Sequence, residues 1–392
     1  MRTVGIIAEY NPFHRGHAHQ LERARALAQA DAVVVVMSSC FTQRGEAALL
    51  SPAERTRMAL QAGADAVFAL PALWSVRDAE HFALGGVSLL RSLGVDALSF
   101  GAETADPARL QAAARLLETP DPSLSTALQA HLSRGVPYPA ALSAAAEALS
   151  PGTGALLASP NNTLAVCYLR AMLRLGADMT VCPVPRQGGY HDTALGGALP
   201  SATALRGAIL RGDWRGAEQA MPEGAFALLR EAALHGRLHR PEALDLPLLY
   251  RLRGMGADSL ARLPDVSEGI ELRLAEAAQS ARSREELLEL AKTRRYPYAR
   301  LSRLCAHALL GFDAELLASA PLPPAAWLLG LKETARPLMA QLSRSGFPII
   351  AKAADADRSQ PWFRAEMRAC DLWALGAGMP AGYALRMGVV KG

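Results

Sequence analysis

The most informative segment of the chain is Ile7-Ala-Glu-Tyr-Asn-Pro-Phe-His-Arg-Gly-His-Ala-His19, which follows a short apolar run and leads into an amphipathic helix pattern. A strand, a turn that contains glycine and a helix together present backbone N–H groups and a helix dipole to an anion. His14 and His17 are three residues apart, so both imidazoles can reach one phosphate. An imidazole bound to phosphate can hold a proton at neutral pH and stabilise departing pyrophosphate. The alternative is two ordinary loop and helix-cap histidines.

Strand-like runs alternate with helix patterns over the first hundred residues. The predicted strands cover residues 2–8, 32–37, 66–70, 96–100 and 177–183. Helices of the length found between them favour a parallel sheet with right-handed crossovers. Residues 105–150 are expected to be a helical insertion. Because ligands bind at the carboxyl ends of such strands, we expect residues 14–17, 43–46 and 101–103 to line one crevice.

The pattern changes at residue 213 to helices without β-branched runs between them. We therefore predict an α/β nucleotide-binding domain over residues 1–212 and a mainly helical region over residues 213–392. The segment 292–303 of the second region contains five cations, two tyrosines and no acid. Cations interleaved with aromatic residues can bind RNA phosphates and stack on bases. A solvated helix face is the alternative for such a charge run.

Composition narrows the function classes further. The 392 residues are enough for two or three domains, and the formal net charge of +4 does not by itself indicate nucleic acid. The chain contains no run of 18 apolar residues and begins in a strand rather than a signal peptide, so we expect a cytoplasmic protein. Five scattered cysteines without zinc-ligand spacing predict neither a disulfide framework nor a structural metal. The first lysine is Lys292, which excludes a P-loop lysine before it.

The segment around His14 resembles the signature of the HxGH nucleotidyltransferase superfamily, which is related to class I aminoacyl-tRNA synthetases. Further segments narrow the resemblance to one bacterial family, the tRNA(Met) cytidine acetate ligases, and it extends through most of the chain. The matching segments are residues 5–17, 37–46, 100–103, 160–162, 190–192, 201–206 and 292–296. The chain departs from the family pattern at Ser39, where glycine is usual, and at Cys40, where asparagine or histidine is common.

The resemblance implies a Rossmann-like parallel sheet of the HxGH nucleotidyltransferase type with a mainly helical C-terminal region. It also implies three sets of site residues. The catalytic set is His14, His17, Thr203 and Arg206. The ATP-binding set is Ile7, Ala8, Glu9, Tyr10, Asn11, Pro12, Phe13, His14, Arg15, Gly16, His17, Ala18, His19, Gln20, Gly101, Asn161, Asn162, Arg186 and Ser201. The RNA-binding set is Arg44, Lys292, Arg294, Arg295 and Tyr296.

Several of these residues have a structural alternative. Ser201 and Thr203 stand where a helix N-cap is common, although their hydroxyl groups can also contact phosphates. Asn161 and Asn162 follow Pro160, which is typical of a helix start, although asparagine can also recognise adenine or ribose. Arg44 lies in a polar loop, where it is either a surface residue or a contact to phosphate or RNA.

The resemblance implies an enzyme that activates acetate with ATP, releases pyrophosphate and acetylates N4 of the wobble cytidine of elongator tRNA(Met). ATP is the expected co-substrate, with Mg²⁺ bridging its phosphates; neither DNA nor a membrane is an expected partner. Two alternatives stay open. One is a nucleotidyltransferase for a small phosphorylated metabolite, which needs only a sheet domain of roughly 160–200 residues. The other is a non-catalytic protein that binds RNA or senses nucleotides.

Overall fold

The computed structural model describes residues 1–119, 121–186 and 201–392, and its strands form a single sheet. The order across the sheet is β5-β4-β1-β2-β3-β6-β7, with β8 also paired to β6. The strands are β1 Thr3–Ala8, β2 Ala32–Ser38, β3 Ala66–Leu70, β4 Ala97–Ala102, β5 Thr180–Pro185, β6 Ala326–Leu331, β7 Ile349–Ile350 and β8 Val390–Lys391. Strands β1 to β5 run parallel to one another, which confirms the predicted Rossmann-like sheet.

Strand β1 lies at the point where the order of the sheet reverses. It pairs with β2 on one side, from Thr3 opposite Ala32 to Ala8 opposite Met37, and with β4 on the other. The chain therefore proceeds outward from β1 through β2 and β3, then returns across it to β4 and β5. Such a switch point leaves a crevice outside the carboxyl ends of the two central strands, which are β1 and β4.

Strand β2 is buried at every residue, as expected of a parallel sheet with helices on both faces. The helices of the first region are α1 Arg15–Ala28, α2 Pro52–Gln61, α3 Ala72–Ser75, α4 Ala79–Ser92, α5 Pro107–Glu118, α6 Pro122–Leu132, α7 Tyr138–Leu149, α8 Thr153–Leu157, α9 Pro160–Leu175 and α10 Ala202–Leu210. Those of the second region are α11 Trp214–Ala220, α12 Glu223–Leu234, α13 Asp245–Gly254, α14 Ala257–Ala261, α15 Ile270–Ser280, α16 Arg284–Ala291, α17 Tyr298–Leu310, α18 Ala314–Ser319, α19 Arg336–Leu342, α20 Pro361–Gly376 and α21 Tyr383–Arg386.

The start of α2 shows how local sequence sets these boundaries. The Ser51 hydroxyl accepts a hydrogen bond from the Glu54 N–H at 3.1 Å, and the Glu54 carboxylate accepts one from the Ser51 N–H at 3.0 Å. This reciprocal pair satisfies two N–H groups that a helix start would leave unbonded. Pro52 follows as the first helical residue, where its missing N–H costs nothing.

Residues after 213 contribute to two hydrophobic cores. Helices α13 to α17 pack around one of them, with Leu287 and Leu301 fully buried. Strand β6 and helix α20 belong instead to the core of the sheet, where β6 pairs antiparallel with β3. The mainly helical region therefore also extends the sheet, through β6, β7 and β8.

Two fully buried histidines make the stability of the fold depend on pH. Burial lowers the pKa of both His239 and His307 to about 4, and the His307 Nε2–H donates to the Val76 carbonyl at 2.7 Å. An unfolded histidine titrates near pH 6.5, so below that pH the unfolded chain binds protons that the folded chain excludes. We expect the free energy of unfolding to be level above about pH 6.5. It should fall by about 2 kcal/mol per buried histidine between about pH 7 and pH 5.

Urea unfolding at both pH values measures this loss. His307→Gln keeps an N–H donor for Val76 but cannot take up a proton, so its loss over the interval should be smaller than that of the wild type. An equal loss in both proteins would show that His307 does not contribute to the pH dependence.

Candidate active site

The two signature histidines hold each other in place at the start of α1. The Nδ1 atom of His14 accepts a hydrogen bond from the Gly16 N–H at 3.1 Å, and the Nδ1 atom of His17 accepts one from the His14 N–H at 3.2 Å. A ring nitrogen that accepts carries no proton, so each neutral ring is protonated on Nε2. The rings are stacked, with centroids 3.7 Å apart and planes 17° apart. The stacked rings therefore present two Nε2–H donors side by side.

The pKa values indicate that both rings are neutral before an anion binds. Partial burial and then the charge of Arg186 lower the pKa of His14 to about 4. Burial and the neighbouring charges of His14 and Arg186 hold the pKa of His17 well below its ordinary value of 6.5. Without nucleotide, neither histidine is therefore in the protonated form expected from the sequence for a phosphate-bound imidazole. A bound phosphate would raise both pKa values again, since its negative charge favours the protonated form.

Part of the predicted ATP-binding segment supports these histidines from inside the protein. Tyr10 and Phe13 are almost fully buried, and their ring centroids lie 4.8 Å and 5.5 Å from that of His17. The side chain of Asn11, only 3% exposed, accepts a hydrogen bond from the Leu49 N–H at 2.8 Å. Ile7 and Pro12 are also buried. These five residues shape the site rather than face a ligand with their side chains.

The remaining residues of the segment are accessible to solvent. Arg15 is exposed and donates to the Gln219 carbonyl at 2.9 Å. Gly16 has no room for a side chain, because an added Cβ would lie 2.9 Å from Cε1 of His14. The half-buried residues are Ala8, Glu9, His14, Gly16, His17, Ala18, His19 and Gln20.

The start of α10 is joined to the His14 segment through Arg206. This guanidinium donates to the Asn11 carbonyl at 2.8 Å and to the Glu46 carboxylate at 3.0 Å. The Thr203 hydroxyl lies 3.4 Å from the same guanidinium. Ser201 acts as the helix N-cap, because its hydroxyl accepts the Ala204 N–H at 3.2 Å. The structure thus brings the segments around residues 11, 46 and 203 together.

Asn161 and Arg186 form a second group, at the end of β4. The Arg186 guanidinium donates to the Asn161 amide oxygen at 3.1 Å, and a Cβ added at Gly101 would lie 3.4 Å from Cγ of Arg186. Asn162 is 1% exposed and accepts the Thr104 N–H at 2.9 Å, which makes it an anchor for the turn after β4. Since the Arg186 charge also acts on both histidines, this group borders the same crevice.

Three residues that hold the candidate site together were not among the predicted site residues. Glu46 binds Arg206, and Glu103 accepts hydrogen bonds from the Asn161 side chain at 2.5 Å and the Asn162 N–H at 2.9 Å. Glu46 and Glu103 lie in segments that carry the family resemblance, and that resemblance was the sequence signal that could have identified them. Arg55 had no such signal, since it lies within an amphipathic helix pattern.

Arg55 is fully buried and donates to four backbone carbonyl groups. Its guanidinium bonds the Leu50 oxygen at 3.1 Å, the Glu9 oxygen at 2.7 Å and the Ser38 oxygen at 2.8 Å, and it also bonds the Ser39 oxygen. Glu9 and Ser38 lie at the carboxyl ends of β1 and β2. Arg55 therefore fixes the backbone from which the site segments begin.

The predicted RNA-binding residues lie near the start of α17. Lys292, Arg294 and Arg295 are exposed in the turn between α16 and α17. Tyr296 is only 7% exposed, packs in the helical core and donates its hydroxyl to the Glu268 carbonyl, so its ring is not available to stack on a base. Tyr298, 38% exposed, is the accessible tyrosine of this stretch.

Arg44 connects this helical region to the crevice. Its side chain is exposed, and its carbonyl oxygen accepts a hydrogen bond from the Ser302 hydroxyl in α17. The predicted motif at residues 190–192 lies outside the described residues. Within residues 1–119, 121–186 and 201–392, no three histidine, cysteine or acidic side chains are grouped so as to hold a metal ion. No helix in that part of the chain is both long and apolar enough to cross a bilayer.

Comparison with known proteins gives consistent matches. Residues 1–381 match the family model of the HIGH nucleotidyl transferases. The tRNA(Met) cytidine acetate ligase of Syntrophotalea carbinolica is 39% identical over 323 residues, which cover 81% of this chain and 76% of that protein. The Bacillus subtilis protein of the same name is 32% identical over 388 residues, or 96% and 92% of the two chains. The structure of Thermotoga maritima TmcAL bound with alpha-thio ATP matches with a TM-score of 0.90 at 26% identity, covering 100% of both chains.

Proposed function

Because the chain belongs to the tRNA(Met) cytidine acetate ligase family of HIGH nucleotidyltransferases, we propose that it activates acetate with ATP and acetylates N4 of the wobble cytidine of elongator tRNA(Met). One observation supports this most directly. The stacked His14 and His17 rings offer two Nε2–H donors beside Arg186, at the switch point of the sheet. We infer that the enzyme works in the cytoplasm, where its tRNA substrate is located.

In the first step, a carboxylate oxygen of acetate attacks the α-phosphorus of ATP. The bond from that phosphorus to the bridging oxygen breaks, and the electron pair leaves with pyrophosphate. Acetate is ionised at neutral pH, so this step needs no general base. The protein positions the reactants and stabilises charge on the leaving group, which suits the Nε2–H donors of His14 and His17 and the Arg186 guanidinium.

Arg206 and Thr203 serve this step from the start of α10. The Arg206 guanidinium is already bonded to Asn11 and Glu46, so it holds the start of α10 against the His14 segment. The Thr203 hydroxyl next to it is then placed to donate to a phosphate oxygen. We therefore assign Arg206 mainly a positioning role.

In the second step, N4 of the cytidine attacks the acetyl carbon of the acetyl-adenylate. The acyl–oxygen bond breaks, AMP leaves with its electron pair, and N4 loses a proton. The cytosine must be turned out of the anticodon loop for N4 to reach the anhydride. The products are AMP, pyrophosphate and N4-acetylcytidine in the tRNA.

Magnesium fits this site only as a companion of ATP. The described residues provide no cluster of carboxylates, and Glu46 is already paired with Arg206. Mg²⁺ commonly binds through substrate phosphates and water with few protein ligands. When bound, it would neutralise part of the phosphate charge. The donors of His14, His17 and Arg186 are available independently of it.

The direct test is to incubate the protein with ATP, labelled acetate and unmodified tRNA(Met), and to digest the RNA to nucleosides. We expect labelled N4-acetylcytidine together with AMP, and no product when acetyl-coenzyme A replaces acetate and ATP. Reactions without ATP are the control. Pyrophosphate release driven by a phosphorylated metabolite, with no acetylated nucleoside, would favour the small-metabolite nucleotidyltransferase instead.

The exposed turn before α17 is expected to bind the tRNA rather than the nucleotide. Replacing Arg294 and Arg295 together by alanine should weaken tRNA binding and flatten its salt dependence, because fewer counterions are released from the RNA. Acetate-dependent exchange of labelled pyrophosphate into ATP should persist without tRNA. The matched control is the double alanine variant of Arg109 and Arg115, which removes two exposed charges from α5. If the Arg294 and Arg295 variant loses exchange activity to the same extent as it loses tRNA binding, the turn belongs to the active site or is needed for the fold.

A further inference from the structure

Three segments meet beside the loop of residues 43–46. The Gln43 side chain donates to the Arg77 carbonyl at 2.8 Å, after α3. Gly45 has a φ of +74°, and an added Cβ would lie 2.7 Å from the Ser302 oxygen and 2.9 Å from the Arg303 Cα. This contact requires glycine, both for the backbone conformation and for the space. Arg77 and Arg303 therefore adjoin the same loop.

The guanidinium groups of Arg77 and Arg303 are partly buried and have no protein partner. In the part of the chain that the structure describes, neither group donates a hydrogen bond or has a carboxylate oxygen within 4.0 Å. Only the Nε atom of each is both buried and unbonded, so the terminal nitrogens reach the protein surface. Two cations in this state are costly unless an anion binds to them.

Two nearby carboxylates relieve only part of this cost, because neither is bonded to the arginines. Asp78 and Asp265 are near enough to act on both arginines, but the Asp78 carboxylate is held by the His81 ring at 2.6 Å and by the first N–H groups of α4. Burial lowers the pKa of both Arg77 and Arg303, and the charges of Asp78 and Asp265 offset only part of that shift. The two guanidinium groups thus lie near two carboxylates but are bonded to neither of them.

We propose that Arg77 and Arg303 bind a phosphate group of the RNA backbone next to the cytidine that is acetylated, an inference that rests on the proposed function. The loop of residues 43–46 is tied to the crevice by the ion pair of Glu46 with Arg206. Helix α17, which carries Arg303, begins just after the exposed turn at residues 292–295. The arginine pair therefore lies between the crevice and that turn, on a path that one RNA strand can follow.

The phosphates of ATP are a poorer match for this pair. Arg77 comes after β3, whereas His14 and Arg186 come after β1 and β5, on either side of the switch point. Strands are about 4.8 Å apart, so β3 lies four strand spacings, or roughly 20 Å, from β5 and the Arg186 side of the crevice. Guanidinium groups suit the phosphate oxygens of an RNA backbone, because they offer several donors in one plane.

The test measures tRNA affinity over a range of salt concentrations for Arg77→Gln, Arg303→Gln and the double variant. Each single change should weaken binding about tenfold and lower the slope of log affinity against log salt by about one. Acetate-dependent ATP–pyrophosphate exchange without tRNA should stay at the wild-type level. Arg115→Gln, an exposed residue of α5, is the matched control and should change neither measurement.

Arg77→Lys and Arg303→Lys keep the charge but lose the planar set of donors, so their salt slope should stay at the wild-type value and their tRNA affinity should fall less than that of the glutamine variants. Wild-type affinity and salt slope in the folded glutamine variants would overturn the proposal. Parallel loss of ATP–pyrophosphate exchange would also overturn it, by assigning the pair to nucleotide phosphates. ATP–pyrophosphate exchange by the wild-type protein tests the proposed function separately, because the measurement of tRNA affinity does not depend on catalysis.

Discussion

His17→Ala should lower acetate-dependent ATP–pyrophosphate exchange by about 10²–10³-fold, which corresponds to about 3–4 kcal/mol of transition-state stabilisation. The Nε2–H of His17 stands next to that of His14, with the rings stacked 3.7 Å apart. Negative charge builds on the leaving pyrophosphate as its bond to the α-phosphorus breaks. A donor already aimed at that charge needs no reorganisation, so its removal affects the transition state more than it affects ATP binding.

His17→Asn separates this role from a structural one. The asparagine oxygen can still accept the His14 N–H, as Nδ1 of His17 does at 3.2 Å, but the Nε2 donor is gone. Asparagine should therefore be as inactive as alanine while α1 keeps its start. His131→Ala, which removes a half-buried imidazole from α6, is the control and should be fully active. Restored exchange in His17→Asn would mean that His17 acts through the helix start alone.

Arg55→Leu should lower the free energy of unfolding by about 3–5 kcal/mol, the largest stability effect that we expect from a single change, because it leaves several buried carbonyl groups unbonded. The substitution leaves the Glu9, Ser38, Ser39 and Leu50 carbonyl oxygens without their donor inside the protein. In the unfolded chain these carbonyl groups are hydrogen-bonded to water, so each one that is buried without a partner costs free energy. The turns that follow β1 and β2 should loosen, so exchange activity should fall as well.

Urea unfolding of Arg55→Leu is best compared with Arg57→Leu. Arg57 lies in the same helix, two residues later, but is exposed, so its loss should change stability by less than about 0.5 kcal/mol. Arg55→Lys should recover only part of the lost stability, because a single ammonium group cannot reach four carbonyl groups. Equal stability of the two leucine variants would show that the hydrogen bonds of Arg55 contribute no net free energy.

Local sequence was sufficient for the boundaries of most strands. The third strand was predicted at residues 66–70 and is Ala66–Leu70, and the second was predicted at 32–37 and is Ala32–Ser38. Runs of β-branched residues closed by polar or glycine-containing segments carry this information within a few residues. The fifth strand begins three residues later than predicted. The Ala177 N–H bonds the Met172 oxygen at 2.9 Å to close helix α9, so Ala177 is not available to the sheet.

The motifs also indicated which segments meet, because the carboxyl ends of parallel strands share one edge. The links of Arg206 to Asn11 and Glu46, and of Arg186 to Asn161, agree with one crevice. The roles of these side chains in catalysis stay predictions for the experiments above. Motifs could not distinguish a ligand contact from a support, as the buried Tyr10 shows.

Other features arise only from contacts between distant parts of the chain. Strand β6 joins β3 across more than 250 residues, although the sequence of residues 213–392 indicated mainly helices. Arg55 and Tyr296 look like solvent-facing residues in sequence, yet both are buried because segments far away supply their hydrogen-bond acceptors. A local pattern records which face of an element is apolar. The packing of all the elements decides which one covers that face and which carbonyl groups it places there.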